Sequence, residues 1–172
     1  MGLPVAQWFE AEARAHGGFD IEVIDLLEVG LPFLDEPAHP RLQQYEHEHT
    51  KEWSARIAAL DAFVFVMPEY NYGLNAPLKN AIDYLHNEWR YKVAGCVTYG
   101  GVAAGTRAFQ MFRLVAGAVK LSVVSEAVNI PFVRNFMDDE DQIQANEIME
   151  KAAAAMLDEL VRVQQALLPL RS

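Results

Sequence analysis

Residues 62–85, AFVFVMPEYNYGLNAPLKNAIDYL, restrict the possible folds more than any other part of the chain. Residues 62–67 form an unbroken apolar run of β-branched and aromatic side chains, the make-up of a strand buried on both faces, and Pro68 stops it. The next residues, Glu69, Tyr70, Asn71, Tyr72 and Gly73, combine hydrogen-bonding side chains, two ring faces and one residue free to take positive φ. A helix then starts. Asn75 suits its cap and Pro77 its first turn, while Leu78, Ala81, Ile82 and Leu85 make one apolar stripe. Ligands of open α/β sheets sit outside the carboxyl ends of the strands, so the polar and aromatic loop is the first candidate site.

The rest of the chain repeats this alternation. Residues 2–16 predict a helix with Val5, Trp8, Phe9 and Ala13 on one face, ended by Gly17-Gly18. Residues 19–26 alternate apolar and polar, which predicts a half-covered edge strand. A loop marked by Pro32, Pro37 and Pro40 leads to a helix over 43–60, with Tyr45, Trp53, Ile57 and Leu60 inward. Residues 93–99 predict the next buried strand. It runs into the small-residue loop Gly100-Gly101-Val102-Ala103-Ala104-Gly105 and a helix carrying Ala108, Met111, Phe112, Val115 and Val119. Residues 121–128 predict a last strand, continued to Val133 as an edge that Pro131 interrupts. Asp138, Asp139, Glu140 and Asp141 are expected to lie at the positive end of a helix over 142–168.

Composition excludes several classes of function. At 172 residues the chain suits one domain, 1–172, with a sizeable core. Its formal net charge of -10 and the lack of a basic stripe disfavour nucleic-acid and anionic-membrane partners. The apolar runs are strand-sized and no basic segment precedes an apolar one, so neither a membrane span nor a secretory signal is read and a cytoplasmic location is expected. Cys96, the single cysteine, cannot form an internal disulfide and reads as a buried hydrophobe. His47 and His49 flank Glu48, but residues two apart point to different sides of a helix, so a solvated face and no metal is expected. Trp89 reads as a packing residue or an interface aromatic.

Pro68-Glu69-Tyr70-Asn71, followed by Pro77-Leu78-Lys79-Asn80-Ala81-Ile82-Asp83-Tyr84, resembles the signature of the NADPH-dependent FMN reductases, flavodoxin-like enzymes that reduce flavins, quinones or azo dyes. Tyr99-Gly100-Gly101, with Gly105 and Arg107, is similar to that family's second flavin-side loop. The resemblance implies a three-layer α/β sandwich with a parallel sheet of order 2-1-3-4-5. It implies FMN as cofactor, NAD(P)H as co-substrate, a small-molecule electron acceptor, and a homodimer or homotetramer in which Trp89 and Tyr72 suit an interface. Pro68, Glu69, Tyr70 and Asn71 would wrap the isoalloxazine while Tyr99, Gly100 and Gly101 close its other edge. No catalytic acid, base or nucleophile need be named, because the chemistry belongs to the flavin. A flavodoxin-like electron carrier and a shortened, non-catalytic member that no longer binds FMN tightly are the alternatives.

The resemblance also implies a part with no match. The helix over residues 2–16 looks like the family's first helix, and nothing matches the preceding strand or its Gly-Ser-x-Arg-like phosphate loop. That strand would lie between residues 19–26 and 62–67, and each buried unpaired backbone group there costs about 1–3 kcal/mol. A longer native product, with Met1 an internal or misassigned start, is therefore expected. The intact mass of the natively expressed protein tests it, and a mass equal to this chain counts against it.

Overall fold

The computed structural model describes residues 1–171. The elements run α1 (Gly2–His16), α2 (Leu26–Val29), α3 (Glu48–Ala59), β1 (Ala62–Pro68), α4 (Ala76–Asp83), β2 (Val93–Gly100), α5 (Thr106–Ala118), β3 (Ser122–Pro131) and α6 (Glu147–Leu167), with short 3-10 turns between them. The three strands form one parallel sheet in the order β1-β2-β3, with Ala62 opposite Val93 and Pro68 opposite Tyr99.

Helices cover both faces of the sheet, giving the expected three layers. Ala94 and Cys96 of β2 point to one face, where Trp53 and Ile57 of α3, Leu78 and Ala81 of α4, and Phe112 and Ala116 of α5 pack. Val93, Val97 and Tyr99 point to the other, against Val5 and Phe9 of α1 and Met149, Ala153 and Met156 of α6. The strand period of two thus divides the core. Helix α1 buries Val5, Phe9 and Ala13 at a spacing of four, and ends at Gly17, whose left-handed backbone (φ 73°) returns its N–H to Ala13 O. Cys96 is fully buried, and burial pushes its thiol far above the usual range. No helix among the described residues is long and apolar enough to cross a membrane.

Five expectations change. Residues 19–26 do not form a strand, and the sheet has three strands among the described residues, where a fourth was expected. The alternation is nevertheless expressed in packing. Phe19 and Ile21 lie against the α1–α6 layer, and Ile24 and Leu26 against the other. The segment has the two faces of a strand without the ladder that defines one.

The helix predicted over 43–60 begins at Glu48, because the Glu36 carboxylate accepts the N–H groups of Glu46 (2.8 Å) and His47 (3.0 Å). His47 and His49 do not point to different sides: their half-exposed rings stack at 5.2 Å, and His49 lies 3.0 Å from the Asp35 carboxylate.

The acids 138–141 do not open α6. Asp138 Oδ1 accepts the N–H groups of Glu140 (3.0 Å) and Gln142 (2.8 Å), a local turn that competes with helix, and Asn146 caps α6 by accepting Met149 N–H at 3.0 Å. Trp89 is 1% exposed, donates Nε1–H to Ile82 O at 3.2 Å and meets Phe63 edge-on, which makes it core and removes it from any interface.

Candidate functional site

Strands β1 and β2 end side by side, and their following loops meet at one rim. Glu69 N–H donates to Tyr99 O at 3.0 Å, which prolongs the pairing of the two strands beyond Pro68. Tyr70 and Gly73 then exchange backbone bonds, 3.1 and 2.8 Å, around Asn71 (φ 48°) and Tyr72 (φ 69°). Positive φ at both central positions is the type I′ turn, which asparagine tolerates and tyrosine resists. The left-handed conformation expected of Gly73 thus falls on its two neighbours. Gly73 has a different constraint: a Cβ there would lie 2.9 Å from Met111 Sδ. The turn holds Tyr70 and Tyr72 out of the fold, 66% and 71% exposed.

The β2 loop is fixed from below. Thr98 Oγ1 bonds Ala104 O at 2.9 Å and the Asn129 side chain at 2.8 Å. Gly105 (φ 84°) packs so closely on Thr98 that a Cβ would approach it to 2.6 Å. Gly100 O accepts Phe132 N–H at 2.8 Å, tying the loop to the end of β3. Gly101 stands in open space, so a ligand can approach its backbone.

An ion pair joins the two loops. Glu69 Oε2 accepts Arg107 N–H at 3.0 Å, in the first turn of α5, and Glu69 Oε1 meets the Arg107 guanidinium at 2.9 Å. Gly105, at the cap position, offers no side chain, so Glu69 supplies from another loop the acceptor that α5 lacks. Burial alone would raise the Glu69 carboxyl, but its bonds to Arg107 and that residue's charge hold it below the usual value. The same guanidinium lies 4.2 Å from the centre of the Tyr72 ring.

All seven residues singled out in the sequence therefore share this rim: Pro68, Glu69, Tyr70 and Asn71 on one loop, Tyr99, Gly100 and Gly101 on the other. They do not play equal parts. The Glu69 carboxylate is engaged within the protein, whereas Tyr70 and Asn71 are exposed. The Tyr99 side chain is buried, and burial followed by the nearby Tyr70 pushes its phenol up to about 12, so it stays neutral. Arg107 was legible only as part of the loop, and its partner lies 38 residues away. Asn75 occupies the cap position of α4 without making a cap bond; its Oδ1 is buried without a partner and the residue lines a cleft beside Pro68 and Tyr70. A ring carrying an N–H donor would satisfy that oxygen. Helix α1 opens at the same rim, where a Cβ on Gly2 would lie 3.1 Å from Tyr99 Oη.

Residues 2–135 match the family model described as NADPH-dependent FMN reductase. The chain belongs to that family. An NAD(P)H-dependent FMN reductase of Schizosaccharomyces pombe is 42% identical over 121 residues, covering 69% of this chain and 60% of that protein. An NAD(P)H-dependent FMN reductase of Saccharomyces cerevisiae is 39% identical over 118 residues, 64% of this chain and 61% of the relative. The chain thus spans about 60% of the length of these two FMN reductases. Among solved structures, the flavoenzyme NAD(P)H:(acceptor) oxidoreductase FerB of Paracoccus denitrificans superposes with a TM-score of 0.72 at 20% identity, over 95% of this chain and 87% of that one. At that identity the likeness shows the α/β, flavodoxin-like fold of the FMN reductase family.

Proposed function

We propose that the rim formed by the β1 and β2 loops holds the ring of FMN, and that the chain serves NAD(P)H-dependent reduction of a flavin, quinone, azo compound or similar small acceptor. The observation that carries this reading is the meeting of the two loops. Pro68, Tyr70 and Asn71 stand beside Tyr99, Gly100 and Gly101, with the unpartnered Asn75 Oδ1 at the edge of the same cleft. Membership in the FMN reductase family supports it.

Bound FMN would supply the redox chemistry, taking hydride from the nicotinamide and passing electrons to the acceptor. The residues of the chain hold, orient and shield. Tyr70 and Tyr72 present flat exposed faces for stacking, and Arg107, placed over Tyr72, fixes one of them. Gly101 permits close backbone approach, and a loop N–H can favour negative charge on a bound ring. Glu69 is a positioning residue, since its carboxylate sets the distance between the loops. Tyr99 offers a hydroxyl that remains neutral throughout the physiological range.

The whole chain, 1–172, acts in this reading as one domain in the cytoplasm. Exposure of Tyr70 and Tyr72 at the rim, with Phe33 84% exposed elsewhere, supports a homodimer or homotetramer. The test is to mix the chain with FMN, NADPH and menadione. NADPH oxidation well above that of free FMN is expected, and a rate equal to that of free FMN overturns the reading.

A further inference from the structure

Helix α5 supports the exposed turn of the β1 loop at two points one helical turn apart. Arg107 lies over the Tyr72 ring at 4.2 Å and pairs with Glu69 at 2.9 Å. Met111, four residues on and so on the same helix face, reaches the far end of the turn. Its Sδ fills the space beside Gly73, where a Cβ would come to 2.9 Å from the sulfur and 3.9 Å from Cε. The backbone of Gly73 is not left-handed, so what its missing side chain makes room for is this thioether.

The thioether supports a strained turn. Asn71 and Tyr72 carry φ of 48° and 69°, and a tyrosine keeps that conformation where its surroundings over-determine it. The backbone bonds between Tyr70 and Gly73, the Arg107 guanidinium over Tyr72 and the Met111 sulfur against Gly73 supply that determination. The first two are polar. The third is an apolar contact, and its sulfur can be changed chemically.

That sulfur is also open to reagents. Met111 is 40% exposed, close to Met1 at 44%, whereas Met67, Met149 and Met156 are 0%, 4% and 0% exposed. Leu114, three residues further along α5, is 79% exposed, so this side of the helix faces water. We propose that Met111 is a reversible oxidation site, which takes one oxygen atom from hydrogen peroxide and then releases the β1 turn. In that step an S–O bond forms and the O–O bond breaks; sulfur loses two electrons, and the second peroxide oxygen leaves as water. The sulfoxide is polar and seeks hydration, so the side chain draws away from Gly73 and the turn loses its apolar support. Methionine sulfoxide reductase, with a thiol as electron source, reverses the change. The consequence for ligands, loss of the fixed placement of Tyr70 and Tyr72, rests on the flavin reading, whereas the oxidation and the release of the turn do not.

The test exposes the intact chain to limiting hydrogen peroxide and reads each methionine by peptide mass spectrometry. Met111 is expected to oxidise at least about tenfold faster than Met67, Met149 and Met156. Hydrogen exchange followed by NMR reads the turn. After oxidation the amides of Tyr70 and Gly73 should exchange at least about tenfold faster, while that of Glu69, bonded to Tyr99 O, changes little. Methionine sulfoxide reductase should restore the slow rates. Met111→Leu keeps the volume and removes the sulfur, so its turn should match that of the parent and stay unchanged in peroxide. Met111→Gln puts a polar group in the same place and should open the turn with no oxidant. Reaction of Met111 no faster than that of the buried methionines overturns the proposal. So does full oxidation with unchanged exchange at Tyr70 and Gly73, or a Met111→Leu turn that opens in peroxide as the parent does. FMN titration before and after oxidation reads the consequence, an expected several-fold loss of affinity. A parent chain that binds no FMN counts against the flavin reading, and the exchange rates still decide the role of Met111.

Discussion

Two valines, side by side in register, differ more in their surroundings than in anything visible in their sequence. Val66 of β1 lies opposite Val97 of β2, and both face the layer formed by α1 and α6. Val97 is 0% exposed, with a strand on either side of it, whereas Val66 is half-buried and its strand is paired on one side. Both runs have the apolar make-up of central strands of a parallel sheet. The difference shows that composition reports the burial a strand is suited to, while the ladder around it decides the burial it attains. At their carboxyl ends the two strands are alike again, joined by the Glu69–Tyr99 backbone bond and the Glu69–Arg107 ion pair.

Substitution of each valine exposes that difference first. Val97→Ala removes two buried methyl groups and should destabilise the chain by about 2 kcal/mol, measured by urea unfolding. Val66→Ala should cost about 1 kcal/mol or less, because half of that burial is not there to lose. Equal losses would mean that the outer edge of β1 is as enclosed as β2 in solution. A smaller effect tests the joined ends. The Glu69 carboxyl is held below its usual 4.5 by Arg107 against the opposing effect of burial, so its contribution is present above 4.5 and is lost as the pH falls through the lower folded value. Glu69→Gln should therefore lower Tm near neutrality, with the gap to the parent chain closing as the medium is acidified below 4.5. A gap independent of pH would show that the charge of Glu69 does not hold the loops.

How much of this was legible depends on the range of the interactions. Residues 62–85 declared both β1 and α4, since apolar run, proline stop and helical stripe are local patterns. The residues that meet at the rim were legible for the same reason, as two short motifs at strand ends. The clamp between Glu69 and Arg107 was not, because it joins positions far apart in the chain and only the sheet brings them together. Residues 19–26 announce their two faces correctly and their ladder wrongly, as alternation encodes side-chain direction but not the presence of a neighbour. The acids 138–141 failed in another way, since a single Asp138 turn outcompeted the helix start that their charge favours.

The most direct measurement is a flavin titration, followed by quenching of FMN fluorescence, on the parent chain and on a Tyr70→Ala/Asn71→Gly variant. Glycine at 71 preserves the left-handed turn, so the variant removes side chains without straining the loop. If the rim grips the flavin ring, the parent chain binds FMN saturably and the variant binds at least about tenfold more weakly, with its unfolding transition little changed. Equal affinity in the two proteins would contradict the account and place any flavin away from the β1 loop.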